Sequence, residues 1–365
     1  MKYKSIYVSA SSQHVGKTTS TLGLASCFGQ MGINVGYCKP VGQQAVKIDA
    51  SPVDKDTILF ADLINFDIKP ELHSPVILGK GATSDYLDDP SSYNYEDRIL
   101  SASNQLEREF DLVIYEGTGH PGVGSVVGLS NAKVAKMLGA GVVFIIEGGI
   151  GSAIDKLNMS LALFREQGVP ILGVIVNKVL QDKLDKVTRY MSIWLKDQNL
   201  PFLGALPYDE SLAYPLLWSV VDSIYGKVLY NPQKLDNQVE SFLAGSLIDA
   251  EKIQKEKNLL LVVSAPKVDE AVTTIRYLTK RFELDGPPLA GIVATGQGDF
   301  SEKTVEFVKE FEIPLVSTHL DTYGSVIKIS RIEVKINKDT PWKVMRAIEL
   351  INDNVDLDLL KSKML

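Results

Sequence analysis

Residues 10–18 read Ala10-Ser-Ser-Gln-His-Val-Gly16-Lys17-Thr18, and the fold follows from what flanks them. Before them, Ser5-Ile-Tyr-Val-Ser9 is an apolar run of strand length. After them, Leu22, Ala25, Phe28 and Met31 recur at helical spacing until Gly32 ends the pattern. A Gly-Lys-Thr between a strand and a helix has the context of a phosphate-binding loop. Backbone N–H groups at the helix start converge on an anion, and the helix dipole favours negative charge there. Gly16 lets the backbone approach phosphate, Lys17 brings a point charge, and the Thr18 hydroxyl suits Mg²⁺. The common pattern has glycine where this chain has Ser11; Ala10 stands one position earlier.

Outward from the loop, apolar strands and helices alternate. Strands are expected at 35–39, 111–115, 141–146 and 171–176, and helices at 56–64, 97–110, 132–138 and 157–167. Such alternation predicts an α/β fold of the P-loop NTPase type, a parallel sheet with helices on both faces. Residues 42–95 look irregular apart from the helix at 56–64. A second, smaller α/β domain is expected from strands at 259–263, 290–294 and 313–317 and helices at 268–281 and 301–311. Pro341 after Thr340 marks a further helix start. The expected divisions are 1–215, 216–325 and a C-terminal strand and helix extension at 326–365.

Composition narrows the classes. The chain has 365 residues, a net charge of -7 and no basic stripe with interleaved aromatics, which argues against nucleic-acid binding. Its apolar runs are too short to span a bilayer. Cys27 and Cys38 form neither a disulfide framework nor a zinc pattern, and the N-terminal run lacks a signal-peptide profile. A cytoplasmic location is expected.

Four features converge on the loop. Lys39, in Tyr37-Cys-Lys-Pro-Val-Gly42, ends the second strand, at the edge where open parallel sheets bind ligands. Glu116, in Tyr115-Glu-Gly-Thr-Gly119, ends another strand, where a carboxylate can close a Mg²⁺ shell. Asp54 and Asp56 precede a helix, as a cap or as a source of a metal ligand. Asn177 ends a late strand, as a turn residue or as a partner of an adenine edge. His14 lies in the loop itself.

These elements resemble the dethiobiotin-synthetase-like family of phosphate-loop (AAA-type) proteins, with its Lys-Pro-Val and Glu-Gly segments and late Asn. They are most similar to the N-terminal region of long phosphotransacetylases and its stand-alone forms. The shared features are Ser9-Ala-Ser-Ser12, Val35-Gly-Tyr-Cys-Lys-Pro-Val-Gly42, Glu147-Gly-Gly-Ile-Gly-Ser152 and Asp155. In those proteins a DRTGG domain follows, and the Pro-Leu-Val-Ser-Thr-His-Leu-Asp-Thr-Tyr run at 314–323 looks like part of one, although the literal Asp-Arg-Thr-Gly-Gly string is absent. The ~40 residues after 323 are too few for the phosphotransacetylase catalytic domain, which is expected to be missing.

The resemblance implies ATP and Mg²⁺ as cofactors. Ser12, Gln13, His14, Val15, Gly16, Lys17, Thr18 and Thr19 would hold the nucleotide phosphates, and Asn177 would lie near adenine. Thr18, Asp56 and Glu116 would hold the metal; Lys17 and Lys39 would be the catalytic lysines. A homodimer is implied, with neither nucleic acid nor membrane as partner. Two functional readings follow. One is a regulatory or slow ATPase whose second domain senses a small molecule or dimerises. The other is a dethiobiotin-synthetase-type ligase that carboxylates an amine and phosphorylates the carbamate.

Overall fold

The computed structural model describes residues 2–48, 51–245, 247–332, 334, 336 and 340–364. The chain divides into two compact units: Met1–Asp209 with Ile336–Leu365, and Glu210–Lys335. The first opens with β1 (Ser5–Ala10), α1 (Lys17–Gln30) and β2 (Val35–Cys38). Short elements follow: β3 (Val41–Gly42), β4 (Ala45–Ile48), β5 (Ser51–Asp54), α2 (Lys55–Ile64), α3 (Pro70–His73), β6 (Val76–Ile77) and α4 (Ala82–Asp88). Next come α5 (Tyr95–Glu109), β7 (Leu112–Glu116), α6 (Asn131–Met137), β8 (Gly141–Glu147) and α7 (Gly151–Glu166). β9 (Ile171–Val179), α8 (Leu184–Asp197) and β10 (Phe202–Pro207) complete the sheet.

The second unit contains α9 (Leu217–Ser223), β11 (Lys227–Tyr230), β12 (Ser241–Ala244), α10 (Ala250–Lys255) and β13 (Leu259–Ser264). It continues with α11 (Val268–Arg281), β14 (Leu289–Thr295), α12 (Glu302–Glu310), β15 (Leu315–Thr318) and α13 (Thr322–Ser330). The chain then re-enters the first unit as α14 (Pro341–Asn354) and α15 (Leu357–Lys361).

The first sheet has the order β10-β9-β8-β1-β7-β2, with every pairing parallel. The chain crosses β1 between β7 and β8, so β1 lies at the reversal of strand order, where open parallel sheets bind ligands. Alternation along β1 divides two cores. Ile6, Val8 and Ala10 join Leu22, Ala25 and Phe28 of α1 and Leu59 and Phe60 of α2. Tyr7 faces the other way, toward Val113, Phe144 and the buried sides of α5, α7 and α8. This is the α/β P-loop NTPase sheet expected from the alternating pattern.

The C-terminal segment completes the first of these cores. Ala347, Ile351, Leu357 and Leu360 are buried with α1. Gly23 makes the contact possible: a Cβ there would lie 2.4 Å from Ile351 Cγ1 and 2.9 Å from the Ala347 carbonyl. Residues 336–365 therefore do not form a separate extension, and the first boundary falls at 209/210 instead of 215/216. Residues 326–330 belong to α13, and much of the strand expected after them lies outside the described residues. The 42–95 region is also more ordered than its composition suggests, with an antiparallel β4–β5 pair and a β3–β6 pair.

The second unit is a five-stranded sheet of order β11-β15-β14-β13-β12, parallel from β12 to β15 and antiparallel at β11. Apolar clusters cover both faces, one around Ile275 and Phe307 and one around Leu217 and Ile329. Among the described residues no helix is long and apolar enough to cross a membrane.

Candidate functional site

The loop between β1 and α1 starts where the Ser11 N–H donates to the Ile145 carbonyl at 3.1 Å. Ser12, Gln13 and His14 form its outer part, Val15 is buried, and Lys17, Thr18 and Thr19 open α1. Two residues take left-handed backbone: His14 (φ 62°) and Gly16 (φ 90°). Gly16 is the N-cap of α1 and has no side-chain cap. Its first-turn N–H groups therefore suit an external anion.

Side chains from three strand ends meet this loop. The Thr18 hydroxyl donates to Glu116 Oε1 at 2.7 Å, and the Tyr37 hydroxyl donates to Glu116 Oε2 at 3.1 Å. Tyr37 is fixed in turn by stacking on Phe60, with ring centroids 3.7 Å apart. Lys17 Nζ donates to the Gly119 carbonyl at 2.9 Å. Lys39 Nζ pairs with Asp56 Oδ2 and lies 3.3 Å from Asp54 Oδ1. Asp54 caps α2 by accepting from the Asp56 N–H, and its other oxygen accepts from the Gln43 and Gln44 N–H groups. The reading of Asp54 as a cap and the placement of Asp56 beside the loop thus coexist.

The electrostatics follow from burial. Glu116 is fully buried. Burial raises its carboxyl pKa, opposed by Lys39, while Asp56 pushes it further up. The Lys17 ammonium is pulled down to about 8 by burial, against the charge of Glu116. Burial also works against the Lys39 ammonium, but Glu116, Asp56 and Asp54 outweigh it and hold its pKa above the ordinary value. Two cations thus share the site with three carboxylates, an arrangement that a divalent cation would relieve. The donors are a hydroxyl and carboxylates, the oxygen set that Mg²⁺ prefers. Among the described residues no group of three or more His, Cys, Asp or Glu could hold a metal alone. Thr18, Asp56 and Glu116 would need oxygens from a bound ligand to complete a shell.

The turn after Glu116 is held by Asn131, a residue the sequence did not single out. Its Oδ1 accepts from the Tyr7 hydroxyl at 2.7 Å and the Thr118 N–H at 3.0 Å, and its Nδ2 donates to the Thr118 and His120 carbonyls. A Cβ on Gly117 would lie 2.4 Å from that Oδ1, so glycine is required for the close approach. In sequence, Ser130-Asn131 carries only the signal of a helix start. Asn177 sits directly against Gly16, and its Nδ2 donates to the Val15 carbonyl at 2.8 Å.

Residues 4–215 match the sequence family described as an AAA domain. The chain belongs to this family. Its AAA domain is of the dethiobiotin-synthetase-like phosphate-loop kind, and membership implies nucleotide binding. A phosphate acetyltransferase of Synechocystis sp. is 21% identical over 360 residues, covering 96% of this chain and 50% of that protein. A cobyric acid synthase of Gloeothece citriformis is 30% identical over 235 residues, covering 57% of this chain and 46% of that protein. The chain thus spans about half the length of these curated relatives. Among solved structures, the MinC:MinD cell division protein complex of Aquifex aeolicus matches 57% of this chain and 84% of that chain at 14% identity and a TM-score of 0.39.

Proposed function

We propose that the AAA domain binds ATP with Mg²⁺ and acts as a slow, regulatory ATPase. The observation that carries this reading is the meeting of Thr18 and Glu116 beside a glycine-capped helix start. Lys17 and the first-turn N–H groups would take the β- and γ-phosphates. Thr18, Asp56 and Glu116 would hold Mg²⁺, which when bound offsets phosphate charge. Lys17, which here donates to the Gly119 carbonyl, would exchange that partner for a phosphate oxygen. Lys39, paired with Asp54 and Asp56, would lie beside that metal site.

The ligase reading needs Lys39 to orient a substrate. Its ammonium is already neutralised by two carboxylates, which favours the regulatory reading. In that reading the second unit senses a small molecule or mediates a homodimer, and the protein works in the cytoplasm. The test is calorimetric titration with ATP·Mg²⁺ on wild type and Lys17→Ala, followed by phosphate release with and without bicarbonate and a panel of amines. Binding lost in Lys17→Ala, with turnover indifferent to amines, is the expected result. Amine-dependent turnover would transfer the assignment to a ligase, and a wild type that binds no ATP would overturn both readings.

A further inference from the structure

An anion nest works only if its peptide N–H groups point inward, which requires the neighbouring carbonyls to point away. In this loop two consecutive carbonyls are held from outside by two consecutive residues at the end of β9. Asn177 Nδ2 donates to the Val15 carbonyl at 2.8 Å, and Lys178 Nζ donates to the His14 carbonyl. Lys178 also lies 3.7 Å from Glu147 Oε1, at the end of the adjacent β8.

The pair is itself fixed. The Asn177 carbonyl accepts from the Gly148 N–H at 2.6 Å. Gly148 packs so closely that a Cβ would lie 2.8 Å from the Lys178 carbonyl oxygen. Lys178 has φ 58°, a left-handed backbone uncommon for a lysine. That turn lets two adjacent side chains reach the same loop. Asn177 Oδ1 accepts from the Lys178 N–H at 2.8 Å, which helps to hold its amide against the loop.

We propose that Asn177 and Lys178 form a clamp that preorganises the phosphate loop for the nucleotide's phosphates. The proposal rests on the nucleotide reading above. Both are positioning residues: they act through the carbonyls of Val15 and His14 and touch no reacting atom.

The experiment compares ATP·Mg²⁺ with tripolyphosphate·Mg²⁺, which has no base, by calorimetry on wild type, Lys178→Ala, Lys178→Arg and Asn177→Ala. Lys178 is partly exposed, so its variants test the idea without threatening the core. The clamp predicts a loss of about tenfold for both ligands in Lys178→Ala, recovery in Lys178→Arg, and persistence of the loss in about 0.5 M salt, where a bare surface charge is screened. It predicts weaker binding of both ligands in Asn177→Ala. Lys178→Ala binding within about twofold of wild type would overturn the clamp, as would an Asn177→Ala variant that loses ATP but keeps tripolyphosphate. A wild type that binds neither ligand would overturn the nucleotide reading and the clamp with it.

Discussion

The Thr18 hydroxyl donates to Glu116 at 2.7 Å, tying the first turn of α1 to the carboxyl end of β7 across the switch point of the sheet. Glu116→Gln keeps the shape of the group and an acceptor for Thr18 but removes the charge. The expected outcome is that Mg²⁺ no longer strengthens ATP binding, a loss of about tenfold or more given what charged hydrogen bonds contribute. Metal-free ATP affinity changes little. Titrations with Mg²⁺ and with a chelator separate the two, and undiminished Mg²⁺ enhancement in the variant would remove Glu116 from the metal site.

Gly16→Ala attacks the loop without touching a charge. The backbone there is left-handed, and an added Cβ would lie 2.1 Å from Asn177 Nδ2. A left-handed non-glycine residue costs about 1–2 kcal/mol, and relief requires the loop or Asn177 to move. ATP binding is expected to disappear while the melting temperature falls by only a few degrees (~2–4 °C). A variant that still binds ATP at wild-type affinity would show that the nest tolerates rearrangement.

At Gly23 the same kind of crowding concerns stability. Gly23→Ala drives a methyl into Ile351 and the Ala347 carbonyl, and overpacking of this sort costs about 1–3 kcal/mol. Ile351→Ala alone leaves a cavity worth about 2–5 kcal/mol. The double variant should lose less than the sum, because the new methyl enters the space vacated by Ile351. Urea denaturation of the four proteins checks this; strict additivity would mean that α14 does not press on α1 at this point.

His73 predicts a pH dependence. Its ring is buried against Phe66, its Nδ1 accepts from the Lys69 N–H at 3.0 Å, and burial pushes its pKa down to about 4 from 6.5. Between those values the unfolded chain binds a proton that the folded chain does not. Stability from this group is complete above pH 6.5 and is lost as pH falls toward 4. Full expression of the shift is worth about 3 kcal/mol. His73→Gln should flatten this part of the stability profile, measured by denaturant unfolding from pH 7 to about pH 4. An unchanged slope would assign the acid sensitivity to other groups.

The sequence was legible where burial is two-sided. β1, β8 and β9 are nearly continuous apolar runs because helices cover both sheet faces. The convergence of Lys17, Thr18, Lys39, Asp56 and Glu116 could also be read, because strand ends and a helix start of one parallel sheet open on one crevice. The 42–95 region could not. β4 is exposed and pairs only with β5, so no alternation reveals it. Asn131 and Lys178 were missed for a different reason. Asn131 bonds Tyr7 and Lys178 bonds His14 across more than a hundred positions, and nothing in the residue types announces those partners.

The docking of α14 on α1 has a consequence for the order in which the protein is made. The groove at Gly23 lies on the helix that begins with Lys17, yet the residues that fill it are synthesised only after the whole of 210–335. A nascent chain therefore carries its phosphate loop on a helix whose rear face is still wet. Ribosomes that stall or terminate early would release a nucleotide unit with an unsealed seam, marked for chaperone capture or proteolysis. Completion of the second unit thereby becomes a precondition for a durable first one.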